Sequence, residues 1–196
     1  LLPRPVSAAR GDIPAEAERQ ATEEELFESG CRLFRETTGD KIAAIKAFER
    51  YLQEFEDSRR AADAQFMAGE AYLDQALKIL VKEAESKKTK TDRLMSPKNT
   101  AAVNSLSLAR EAFEKVVANA SKKDPGLRAS AQYRLGEVAY NAKDWGRAIE
   151  GWRAIEKEFH MSYIVPEAWM GIIFANLALE QFALAESNLF LLGEAY

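Results

Sequence analysis

The sequence predicts an all-α fold built as an α-solenoid, a stack of short helical hairpins, and three observations carry that expectation. The first is a recurring signature. Ala131-Gln132-Tyr133 with Gly136-Glu137 echoes Ala64-Gln65-Phe66 with Gly69-Glu70. Glu25-Leu26-Phe27 followed by Gly30 is a third copy, and Ala168-Trp169-Met170 opens a fourth. Self-similarity at roughly thirty to forty residues marks stacked supersecondary units. The second is periodicity: apolar residues recur at helical spacing from about Thr22 onward. The third is composition. The 196 residues hold only 10 Gly and 6 Pro, too few turn formers for many short strands, while 47% hydrophobic residues suffice for a core.

Residues 1–21, rich in proline and charge, read as a disordered arm ahead of a repeat domain spanning 22–196. Leu1 to Ala9, with Val6-Ser7-Ala8, fits either the tail of a signal sequence or an ordinary leader. The first unit, about 23–58, pairs a helix carrying Leu26, Phe27, Gly30, Leu33 and Phe34 with one carrying Ile42, Ala44, Ile45, Phe48, Tyr51, Leu52 and Phe55. Thr37 to Asp40 form the turn between them.

The second unit, about 62–121, has an insertion. Its first helix runs on from Ala61 through Leu77, Leu80 and Ala84, and Ser86 to Asn99 form a polar, mainly basic loop. Ser96-Pro97 is a helix-start signal, and the returning helix carries Val103, Leu106, Leu108, Ala109, Phe113, Val116 and Val117. Asp124-Pro125-Gly126 ends it.

The third unit, about 129–162, is the most regular, with Lys143-Asp144 as its turn. The fourth, about 166–196, ends in a helix from Phe182 to Leu192 with no polar capping helix after it. Solenoids need covered ends, so this end is expected to meet further chain, a partner or a second copy.

The four units resemble the tetratricopeptide repeat over about Glu23 to Leu192. The third matches at Tyr133, Leu135, Gly136, Tyr140, Trp145, Ala148 and Trp152, the first at Leu26, Gly30, Phe34, Ala44 and Phe48. The second matches at Gly69, Tyr72, Ala109 and Phe113. The fourth matches at Trp169, Phe182 and Ala185, with Ile173 where a small residue is usual. The resemblance implies a right-handed superhelix that binds protein segments and has no catalytic residues. The opening pattern and the aromatic end of the second helix, Tyr51 to Phe55, are similar to bacterial cell-envelope repeats of the Tol–Pal coordinator and outer-membrane assembly lipoprotein type. By that resemblance the expected location is the periplasm or cell envelope, with the cytoplasm as the alternative. The family's clamp for a terminal carboxylate is missing, because its positions hold Phe27, Cys31, Glu70, Tyr133 and Glu137.

First-helix residues would line the inner face. Phe27, Phe66, Tyr133 and Met170 form one expected ladder, with Glu70, Glu137 and Tyr140 beside it. Aromatics among acids suit an extended or helical partner segment with apolar anchors and basic residues. The alternative is that these rings pack helices together and the acids are solvated. The basic loop, with Lys87, Lys88, Lys90 and Arg93, reads either as a docking site for an acidic surface or as a solvated loop.

A net charge of −4 and the lack of aromatics in that loop argue against nucleic acid. One Cys and one His give no disulfide framework and no zinc cage, so no metal or cofactor is expected. No phosphate loop or nucleophile elbow occurs. Two further functions stay open: accessory domain of a longer enzyme, or a module that self-associates near Leu189 to Leu192.

Overall fold

A computed structural model describes residues 12–36, 41–86, 99–120, 124–160 and 162–195. They form helices α1 (Asp12–Glu36), α2 (Ile42–Glu54), α3 (Ala61–Ser86), α4 (Thr100–Asn119), α5 (Pro125–Asn141), α6 (Trp145–Glu158), α7 (Val165–Ala178) and α8 (Phe182–Ala195). The fold is all-helical, with no strand among the described residues. Each helix packs chiefly on its neighbours in sequence, and weaker contacts join α1 to α3, α3 to α5 and α5 to α7.

Apolar spacing explains the packing. Ala44, Ile45, Phe48 and Tyr51 give α2 one buried face. Leu106, Ala109, Phe113 and Val116 do the same for α4, and Ala148, Trp152 and Ile155 for α6. Each of these helices anchors its own core cluster. Leu108, expected on the α4 stripe, is exposed, because it sits two residues round from Leu106.

One seating arrangement recurs in all three clusters. A Cβ added at Gly30 would lie 2.8 Å from the Phe48 ring, and one at Gly69 would lie 2.7 Å from Phe113. At Gly136 it would come within 2.6 Å of Trp152 Cδ1. In each case the residue three positions before the glycine is an aromatic touching the same ring: Phe27 on Phe48, Phe66 on Phe113, Tyr133 on Trp152. Glycine lets the backbone meet a ring face, and the preceding aromatic closes its flank. Gly171 of α7 meets the other side of Trp152, where a Cβ would lie 2.7 Å away.

The turns recur too. After α5, the amides of Ala142, Lys143 and Asp144 donate to the carbonyls of Val138, Tyr140 and Ala139. After α7, those of Leu179, Glu180 and Gln181 donate to Ala175, Leu177 and Asn176 in the same pattern. Lys143 (φ 66°) and Glu180 (φ 60°) both take the left-handed conformation that closes a helix end. The links into α3 and α7 match as well: Ser58 N to Phe55 O and Ala61 N to Ser58 O are repeated by Ser162 N to Phe159 O and Val165 N to Ser162 O.

The first and last helices extend beyond their expected bounds. Helix α1 begins at Asp12, so much of the segment expected to be a disordered arm is helical. The run Ala15-Glu16-Ala17-Glu18-Arg19-Gln20-Ala21 consists of strong helix formers, and Pro14 falls in the tolerant first turn. Helix α4 begins at Thr100, capped by Asn99, whose side chain accepts from the amides of Ala101 (2.9 Å) and Ala102 (3.4 Å). Ser96-Pro97 and the turn Thr37 to Asp40 lie outside the described residues. Helix α8 continues past Gly193 to Ala195.

Candidate partner-binding surface

Tyr133, Glu137 and Tyr140 occupy one face of α5, at helical spacing. With Met170 and Phe174 of α7 they line a cleft of about 570 Å³, to which Leu77 of α3 and Leu192 of α8 also contribute. Trp152 forms part of its wall. Tyr140 meets Trp145 edge-on at 4.8 Å and lies tilted against Trp152 at 5.9 Å. The Trp152 indole donates to the Tyr133 carbonyl at 3.1 Å. Burial, reinforced by nearby Glu137, pushes the Tyr133 hydroxyl up to about 12, and burial alone raises Tyr140. Both phenols therefore stay neutral and present rings and hydroxyls rather than charge. Met170 is 37% and Phe174 50% exposed, so apolar surface faces water on one wall.

Four of the seven expected contact residues are thus brought together: Tyr133, Glu137, Tyr140 and Met170. The other three are not in the cleft. Phe27 is only 7% exposed. It lies edge-on to Phe48 at 6.1 Å and to Tyr51 at 5.5 Å, and the Arg60 guanidinium covers it 3.8 Å from the ring centre. Its expected place on an open ladder is corrected to a place in the core. Phe66 is half-buried against Phe113 at 5.5 Å.

Glu70 faces a cation of this chain. Arg134 Nε lies 2.6 Å from Glu70 Oε1, and Arg134 also binds Glu137 on its own helix. Burial raises the Glu70 pKa, and Arg134 opposes the rise. On Arg134, burial disfavours the cation, but the carboxylates of Glu70 and Glu137 outweigh it and the pKa rises. These directions pull against each other for the pair. The close geometry and a guanidinium that stays charged at any ordinary pH decide for the ionised pair. The acidity expected from Glu70 and Glu137 is correspondingly weaker than the sequence implies, since Arg134 pairs with both. Glu167 remains, exposed, at the cleft margin.

Sequence reasoning missed Phe174, one turn beyond Met170, although that spacing was the available signal. It also missed a second groove of about 670 Å³ between α4 and α6, with Val103, Leu106, Leu135 and Val138 lining it and Arg110 and Arg147 at its edges. The basic-loop residues Lys87, Lys88, Lys90 and Arg93 lie outside the described residues. No helix among the described residues is long and apolar enough to cross a membrane. No protein-family model matches the chain, and the curated proteins contain no match to it.

Proposed function

We propose that this chain is a non-catalytic scaffold, a right-handed solenoid of tetratricopeptide-type hairpins that holds a segment of a partner protein in the cleft between α5 and α7. The recurring glycine–aromatic seats and the matching turns support the repeat reading. The observation that carries the binding role is the exposure of Met170 and Phe174 beside two neutral tyrosines in one cleft. Apolar anchors of an extended or helical segment would fill it, and the hydroxyls of Tyr133 and Tyr140 would set register. A place in the bacterial cell envelope is supported by the resemblance of the repeat openings alone.

The test is affinity capture with native protein as bait, comparing wild type with Met170→Ala/Phe174→Ala. Both side chains are exposed enough to spare the core. Partners lost by the variant, with its melting temperature kept, support the cleft. Identical partners for both proteins would move binding elsewhere and defeat the reading.

A further inference from the structure

On one register, two successive hairpins differ at a position that faces between neighbouring returning helices. The glycine seats set that register. Gly69 of α3 matches Gly136 of α5, and Phe48, Phe113 and Trp152 match along α2, α4 and α6. Three residues beyond its glycine, α3 carries Tyr72 and α5 carries Ala139.

Tyr72 fills the space between α2 and α4. It packs against the core clusters of both helices, and its hydroxyl donates to Glu49 of α2. Burial, then Glu49 and after it Glu111 of α4, push the phenol pKa up, so the hydroxyl keeps its proton. The matching space between α4 and α6 is the groove of about 670 Å³, with Ala139 in its lining. Both matching acids line it as well. On the shared register Glu114 of α4 corresponds to Glu49, and Glu150 of α6 corresponds to Glu111.

The groove therefore has every part of the tyrosine seat except the ring. Leu106, Leu135 and Val138 supply apolar surface, and Val103, 45% exposed, extends it by a turn. Glu114 faces Arg110 at 3.9 Å, beyond hydrogen-bond reach, which leaves its carboxylate able to accept from a donor. The charges are mixed, with Arg110 and Arg147 among Glu114, Asp144 and Glu150. An anion would meet three carboxylates and a cation two guanidiniums. A neutral ring with one hydroxyl donor suits both the lining and the acceptors.

The surroundings narrow the source of that ring. Residues 87–98 and 121–123, which flank α4 in sequence, contain no tyrosine. Chain continuing past residue 1 or 196 would leave from α1 or α8, and neither helix borders the groove. Tyr163 is 77% exposed but follows the end of α6 opposite to Asp144 and Arg147.

We propose that the groove between α4 and α6 docks a tyrosine side chain of a partner protein, its ring on the apolar lining and its hydroxyl on Glu114. This site is separate from the cleft and does not rest on it. The probe is the peptide acetyl-Leu-Tyr-Leu-amide, titrated into the isotope-labelled full chain and followed by amide shifts. Acetyl-Leu-Phe-Leu-amide is its control. The tyrosine peptide is expected to shift amides of α4, α5 and α6 with a Kd of about 1 mM, at least about fivefold tighter than the control. Glu114→Ala, at an exposed position, should remove that preference and leave the control peptide unchanged. Ala139→Tyr should put a phenol where α3 has one, abolish binding and raise the melting temperature by about 2 °C or more. Met170→Ala/Phe174→Ala should bind the peptide like wild type, which keeps failure here distinct from failure of the cleft.

No shift at millimolar peptide, equal affinity for the two peptides, or an unchanged preference in Glu114→Ala would each overturn the proposal. So would a lower melting temperature for Ala139→Tyr, since the groove would then not fit the ring. Self-association that Tyr163→Ala abolishes and Ala139→Tyr blocks would overturn it in favour of a second copy. Binding by residues 1–196 but not by a longer natural chain would overturn it in favour of the protein's own further chain. p-Cresol binding as tightly as the peptide would overturn it in favour of a free phenol.

Discussion

The first and last described helices turn opposite kinds of side chain to water. At the N-terminal end, α1 buries Phe27 and turns Glu25, Glu28, Arg32 and Arg35 to water. It is latched by Glu23, which accepts from the Tyr51 hydroxyl at 2.7 Å and from Ser58. At the other end, α8 exposes phenylalanine and leucine and holds no cation. The links into α3 and α7 share one bonding pattern, and so do the turns after α5 and α7. Backbone register decides where a helix lies. The residues on its outward side decide how much apolar surface it leaves in water.

Five substitutions break or sharpen this contrast. The largest effect is expected from Trp152→Ala, since that ring is almost wholly buried and wedged between Gly136 and Gly171. A loss of about 3–5 kcal/mol in denaturant unfolding is expected. A loss below about 1 kcal/mol would mean that the C-terminal hairpin does not depend on this seat. Gly136→Ala should cost about 1–3 kcal/mol, because the new methyl meets an indole that Gly171 prevents from retreating. Gly146→Ala, where an added Cβ meets nothing, is the matched control and should be neutral or slightly stabilising.

A smaller, pH-dependent effect is expected at the latch. Hydrogen bonds from Ser58 and then Tyr51 hold the Glu23 pKa below its ordinary value. The folded state therefore releases this proton more readily than the unfolded chain. The stabilisation is present above the ordinary carboxylate value and is lost as pH falls through the lower folded one. Glu23→Gln should flatten the acid limb of a melting-temperature profile relative to wild type. An unchanged acid limb would show that the latch does not close in solution. The smallest effect is expected from Phe190→Ser, within about ±0.5 kcal/mol of wild type. A marked destabilisation would mean that α8 is already covered in the isolated protein.

The helices that face a core were legible because their pattern is local. The spacing of Phe48, Tyr51 and Phe55 predicts a buried stripe wherever the helix lies. The unbroken stripe beyond Leu73 likewise announces the long α3. The site was only half legible, because exposure depends on what arrives from elsewhere in the chain. Phe27 and Met170 hold the same position in their units. Arg60 covers the first, while the second faces the cleft. Glu70 reads as a free acid until α5 brings Arg134 beside it. The start of α1 was missed for a different reason, since its first turns rest on helix propensity and show no apolar stripe to detect.

Packing that runs from neighbour to neighbour along the chain also sets how the protein breathes. Nearly every interface is made by helices adjacent in sequence, so local opening need not disturb distant parts. Helix α8 leans mainly on α7, whereas α3 and α4 share the most extensive interface in the molecule. Amide exchange should therefore be graded, fastest in α8 and slowest where α3 meets α4. Protection along α8 would then be a direct readout of how firmly α7 alone holds it.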